Sequence, residues 1–76
     1  MNDVEIQKFK DALNLALEAF AEVSGIHCHQ YLIAETAIGM VVEVWVDDSK
    51  HCHVCIEEDS PRQALADIMN VVQRKF

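Results

Sequence analysis

The chain has little glycine, little proline and little positive charge. Two of its 76 residues are glycine and one is proline, so it has no glycine-rich loop of the kind that holds phosphate groups. The chain has six lysines and arginines and 13 aspartates and glutamates, which gives a net charge of −7. A surface of this sign repels nucleic-acid backbones and anionic membranes. We therefore expect no direct binding to nucleic acid or membrane, while the charge suits a basic partner or serves solubility.

Long apolar runs are also missing. No run approaches the ~18 residues of a membrane span, and the first residues, MNDVEIQKF, carry acids where a secretory signal is basic. We expect a cytoplasmic protein whose three cysteines are reduced. An odd cysteine count does not suit a disulfide framework either.

The length predicts a single domain over residues 1–76. Because 51% of the residues are apolar, the chain can bury a core, but a domain this small is marginally stable alone. Such domains often gain stability from a partner subunit, a metal or a disulfide.

Hydrophobic periodicity predicts a helix at each end of the chain. Apolar residues recur at three- and four-residue steps over 3–24, with Asn2 or Asp3 as the N-cap and Gly25 as the stop. The second helix begins in SPRQ, where Ser60 is the predicted N-cap and Gln63 completes a capping box.

Between the helices the period changes to two. Three runs are typical of strands: IHCHQYLIAE, IGMVVEVWVDD and HCHVCIEED. Their short connections favour an antiparallel meander. The predicted fold is therefore α+β, in the order α-β-β-β-α, with a three-stranded antiparallel sheet and both helices packed on one face.

Alternation along the strands predicts which side chains the helices leave uncovered. The even positions are almost wholly apolar and include Cys28 and Cys52, which we expect in the core. The odd positions form the other face, which holds all four histidines, the only Trp and the only Tyr. This predicted interaction face comprises His27, His29, Tyr31, Ile33, Val41, Glu43, Trp45, His51, His53 and Cys55.

Matching the buried residues across strands predicts a register. A three-residue turn at Asp48–Lys50 pairs Trp45 with His53, and a first hairpin closed near Ala34 and Ile38 pairs His27 with Trp45. Two rows then cross the face, one centred on Trp45 and the other on Glu43.

An uncovered face rich in Trp, Tyr and apolar residues is typical of an interaction surface. We expect non-enzymatic protein binding, with a homodimer formed by stacking two sheets as the first possibility. Because unperturbed histidines titrate near pH ~6.5, mild acid could loosen such a contact.

The same face offers a metal-binding alternative. Alternate residues on a strand project to one side and can present imidazole and thiolate to zinc. The candidate ligands are His29, Glu43, His53 and Cys55, although the outer strands are too far apart for one ion to reach both. We expect no cofactor and no catalytic residue, because an open sheet face provides neither a pocket nor an oxyanion hole.

A further alternative comes from the acids. The α-β-β-β-α order resembles double-stranded-RNA-binding domains in topology, but that family has a basic cluster at the start of its second helix, where this chain has SPRQALADIM after three acids. The acids fit the opposite role, a nucleic-acid mimic that inhibits a basic partner, as anti-restriction and anti-CRISPR proteins do. Two predicted acidic patches lie at the ends of the third strand: Asp47, Asp48, Glu57, Glu58 and Asp59.

Overall fold

The computed structural model describes residues 1–37, 39–56 and 60–76 and confirms the order α-β-β-β-α. Two helices flank three strands: α1 Asp3–Ser24, β1 Gln30–Thr36, β2 Gly39–Trp45, β3 His51–Ile56 and α2 Pro61–Lys75. The strands form one antiparallel sheet in the order β1-β2-β3. The helices pack against it in a single core.

The ends of α1 follow the sequence signals. The Asn2 side chain accepts a hydrogen bond from the Glu5 N–H at 2.9 Å, and the Glu5 carboxylate accepts one from the Asn2 N–H at 3.3 Å. This reciprocal capping box satisfies two amide groups that a helix start leaves unpaired. Gly25 ends the helix in the left-handed conformation, with a φ of 75°, which glycine adopts without strain.

The start of α2 confirms only half of its predicted box. The Ser60 hydroxyl accepts from the Gln63 N–H at 3.5 Å, and Pro61 occupies the first turn. The Gln63 side chain instead donates to Asp67, one turn further on, at 3.4 Å. The N-cap is therefore correct, while the return bond was wrongly assigned.

The core confirms the predicted inward face of β2 and β3. All its buried members are apolar or cysteine, and they come from both helices and two strands: Phe9, Leu13, Leu17, Met40, Val42, Val44, Cys52, Ile56, Ala64, Ile68 and Val72. Cys52 is 2% exposed, and burial raises the pKa of its thiol, which keeps it neutral. Cys28 is half-buried and packs against this core.

The register of β1 differs from the prediction. Tyr31 pairs with Val44 and Ile33 with Val42, so both lie on the helix side, where they pack against the core. Their placement on the open face was wrong. Leu32 lies there instead, opposite Glu43, and is 59% exposed.

A tight hairpin explains this inversion. Thr36 pairs with Gly39, so the loop contains two residues rather than the predicted three. A change of one residue in loop length moves every side chain of the strand to the opposite face. The Thr36 hydroxyl donates to the Gly39 carbonyl at 2.8 Å, and Gly39 has a φ of 143°, a conformation that favours glycine.

An extra residue at the N-terminal end of β1 reverses this inversion for the preceding residue Cys28, which packs against the core as predicted. The His29 N–H donates to the Trp45 carbonyl at 3.0 Å, while Gln30 is the paired partner of Trp45. Two residues therefore stand opposite one, as in a β-bulge. The in-and-out alternation of side chains therefore shifts by one residue at the bulge. As a result Cys28 and Tyr31 both contact the core, although one position is even and the other odd.

The register between β2 and β3 is shifted by two residues from the prediction. Trp45 pairs with His51, and Glu43 pairs with His53. The connecting loop runs over residues 46–50 and is two residues longer than expected. An even shift leaves the faces unchanged, so His51, His53 and Cys55 point outward as predicted.

Two adjacent residues of β1 test its register. Ile33→Ala should lower the free energy of unfolding by about 2 kcal/mol, because it removes apolar contacts with the core. Leu32→Ala should change it by less than about 0.5 kcal/mol in dilute solution. Urea denaturation of both variants measures the difference, and a larger loss for Leu32 would contradict this register.

Candidate functional site

Between the hairpin at Thr36 and Gly39 and the β2–β3 turn, eight described residues of three strands lie on the uncovered face of the sheet. Alternation and the observed register place them side by side on the face away from the core. They are Leu32, Ala34, Val41, Glu43, Trp45, His51, His53 and Cys55, and we call them the open face. Six of them belong to the predicted interaction face; Leu32 and Ala34 were missed.

The Glu43 carboxylate is the polar centre of the open face. One of its oxygens accepts a hydrogen bond from the indole Nε1 of Trp45 at 3.3 Å. The other lies 3.6 Å from Nδ1 of His53, on the neighbouring strand. The Glu43 side chain is 29% exposed and that of His53 is 55% exposed. One acid therefore orients an aromatic ring on its own strand and contacts an imidazole across the ladder.

Trp45 is held by a second contact. Its ring stacks on the imidazole of His51, with centroids 4.2 Å apart and an angle of 17° between the planes. Cross-strand pairs of this kind stabilise a sheet. With the indole N–H bonded to Glu43, the half-buried ring presents a fixed apolar surface.

The remaining predicted face residues lie elsewhere. His27 is exposed and, together with His29 and Tyr31, lines a shallow cleft beside Leu17 and Glu18 of α1. Nδ1 of His29 lies 2.7 Å from the Val46 carbonyl oxygen. The expectation of four histidines on one face was therefore wrong, because only His51 and His53 belong to it. The predicted loosening in mild acid stays a prediction.

The candidate metal ligands are only partly brought together. Glu43 contacts His53, whereas Cys55 lies opposite Val41, one pair further along the ladder. His29 lies outside the strand, as described above. Across residues 1–37, 39–56 and 60–76, no three His, Cys, Asp or Glu side chains are placed to hold one metal ion.

The acidic patches are described in part. Asp47 belongs to the β2–β3 turn, where its Oδ1 accepts bonds from the N–H groups of Ser49 at 2.9 Å and Lys50 at 2.7 Å. These bonds hold the pKa of the Asp47 carboxyl below its ordinary value. Asp47 therefore has a structural role in the turn, which sequence reasoning missed. Glu57, Glu58 and Asp59 lie outside the described residues, and mimicry of nucleic acid stays a prediction.

Comparisons with protein-family models, curated proteins and solved structures found no significant match to this chain. Neither helix in the described part of the chain is apolar enough over sufficient length to cross a bilayer.

Replacing Asp47 tests the turn that sets the second hairpin. Asp47→Ala should lower the melting temperature at neutral pH, because two turn amides lose their acceptor. Asp47→Asn is the matched control: its neutral side-chain oxygen can still accept both bonds but carries no charge, so it should melt between the Asp47→Ala variant and the parent.

The lowered pKa of Asp47 also fixes a pH dependence. Its stabilisation is present above the ordinary carboxyl range, near pH ~4, and is lost as the pH falls through the lower folded-state value. The parent and Asp47→Ala should therefore converge in melting temperature in acid. A constant difference down to acid pH would show that the charge of Asp47 has no role.

Proposed function

We propose that the protein is a non-enzymatic binding module whose open face is covered by a second copy of the same chain. The observation that carries this proposal is the fixed Trp45 ring on the same face as Val41 and Leu32, on the side of the sheet opposite the helical core. Aromatic side chains held in place lose little conformational freedom on binding, which is why Trp is common at interaction hot spots.

Charge favours a second copy at this face. Glu43 is the one acid among its described residues, whereas the chain carries 13 acids against six basic residues. Two molecules of charge −7 repel each other over most of their surfaces. The open face is where they can meet without opposing rows of carboxylates.

The size of the face sets the strength of the contact. Three strands about 4.8 Å apart and six or seven residues long give a face of about 300 Å². A stable complex buries about 800 Å² on each partner. We therefore expect a weak dimer that dissociates at about micromolar concentration, with surrounding loops adding to the contact.

Stacking two sheets also explains how a 76-residue chain gains stability. Burial of apolar surface contributes about 25 cal/mol per Å², so even a small contact adds to a marginal core. In a two-fold arrangement whose axis runs along β2, Trp45 of one copy would lie close to Trp45 of its partner, because it belongs to the central strand.

Trp45→Ala tests this function. The variant should be monomeric by size-exclusion chromatography with light scattering at concentrations where the parent is partly dimeric. Leu15→Ala is the control, because Leu15 is 68% exposed on α1 and lies away from the open face. Val41→Lys, which adds a charge to the same face without removing the ring, should also give a monomer; a persistent dimer in both face variants would exclude this surface.

Salt provides an independent prediction. Raising the ionic strength shortens the Debye length from about 10 Å at 0.1 M to about 3 Å at 1 M, which weakens the repulsion between two acidic copies. The dimer fraction should therefore rise with salt in sedimentation equilibrium. A contact formed by salt bridges would respond in the opposite direction.

A further inference from the structure

A cleft of about 460 Å³ lies at the outer edge of the sheet, between β3 and the last turns of α2. Its apolar side chains come from the segment before β1, the residue after β2, the start of β3 and the end of α2. Its polar side chains come from the β2–β3 turn, the start of β3 and the end of α2. The lining residues are Ile26, Val46, Ser49, Lys50, His51, Cys52, His53, Val71, Lys75 and Phe76.

The charge of this cleft differs from that of the whole molecule. Its described lining contains two of the chain's lysines, Lys50 and Lys75, and no Asp or Glu side chain, although acids outnumber basic residues 13 to six overall. Lys75 also faces the negative end of α2, where a cation is expected in any helix. Lys50 belongs to the β2–β3 turn, where its charge also interacts with the Asp47 carboxylate.

The start of β3, residues 51–53, forms one wall of the cleft, and β3 has β2 as its one strand neighbour in the described sheet. The Val46 N–H donates to the Lys50 carbonyl at 3.0 Å, one residue beyond the Trp45–His51 pair, so the bonding direction at this end of the strands makes Trp45–His51 a non-bonded pair. Bonded and non-bonded pairs alternate in an antiparallel ladder. The N–H and C=O groups of His51, His53 and Cys55 therefore point away from β2, toward the outer edge of the sheet.

A strand edge of this kind invites another strand. Natural proteins protect edges with Lys, Pro or bulges, whereas β3 reads HCHVCI and contains none of these. An extended peptide that adds to such an edge obtains its affinity from main-chain hydrogen bonds and its selectivity from side-chain pockets.

We propose that this cleft binds the extended C-terminal segment of another protein, which adds to β3 as a fourth, antiparallel strand. Antiparallel addition places the last peptide residue beside His51, at the end of β3 where Lys50 and Lys75 lie. The terminal carboxylate meets the two ammonium groups, and the last side chain enters the apolar part of the cleft formed by Val71 and Phe76. This site uses the strand edge and α2, and it shares His51 and His53 with the open face.

The first experiment identifies the ligand class. Immobilised protein is incubated with a pool of random heptapeptides that have free C-terminal carboxylates, and separately with the same pool as C-terminal amides. Mass spectrometry of the retained peptides should show enrichment from the carboxylate pool only, with apolar last residues. No enrichment, or equal enrichment from both pools, would overturn the proposal.

The second experiment locates the site. Titration of the best-enriched peptide into isotope-labelled protein should shift the amide signals of His51, His53 and Cys55 in NMR spectra. Lys50→Glu should weaken binding by at least about tenfold, the effect of losing a charge-assisted contact. Lys8→Glu makes the same charge change at an exposed position on α1 and should stay within about twofold. Shifts confined to other elements, or equal losses in both variants, would contradict the site.

Two further arms separate the alternatives. Hexanoate has an apolar chain and a carboxylate but no main chain to pair with β3, so it should bind at least about tenfold more weakly than the peptide. Equal binding would overturn strand addition in favour of a small-molecule site. The dimer-deficient Val41→Lys variant changes a residue outside the cleft lining and should bind the peptide no more weakly than the parent, so a failure of the dimer proposal and a failure of this one are distinguishable.

Discussion

The alternation of the central strand β2 divides the molecule into two sides. Met40, Val42 and Val44 point into the core with the helices, while Glu43 and Trp45 point away from it. Both neighbouring strands pair with β2, so their registers decide which of their side chains join each side. Side chains that pair with the buried residues of β2 join the core, and those that pair with Glu43 and Trp45 join the open face. The burial of one side of β2 therefore decides the composition of both sides.

Much of this division could be predicted from the sequence. The capping signals at Asn2 and Ser60, the change of period after Gly25 and the apolar even positions of β2 and β3 are local and strong. They give the helices, the strands and the outward direction of His51, His53 and Cys55. The predicted β2–β3 loop was two residues too short, and this error left the faces unchanged because two is the period of a strand.

The first strand could not be predicted in the same way. Its two faces are both rich in apolar residues, so alternation alone does not distinguish Tyr31 and Ile33 from Leu32 and Ala34. Which face each of these residues takes depends on whether the first hairpin loop has two residues or three. The segment around Thr36 contains only weak turn formers before Gly39, so the sequence does not specify the loop length. The extra residue at His29 has no sequence signal, because a bulge is defined by main-chain hydrogen bonds.

The open face and the β3 cleft would give the domain two binding surfaces of different chemistry. The first presents a fixed indole in a nearly neutral setting, and the second combines the outward-pointing main-chain groups of β3 with two lysines. Trp45 is the only tryptophan in the chain, so its fluorescence reports directly on the open face. The most direct test is acrylamide quenching of this fluorescence, measured together with the mass by light scattering across a dilution series. If a second copy covers the open face, quenching falls as the mass rises from monomer to dimer. Quenching that stays constant while the mass doubles would place the contact elsewhere, and a constant monomer mass would contradict self-association.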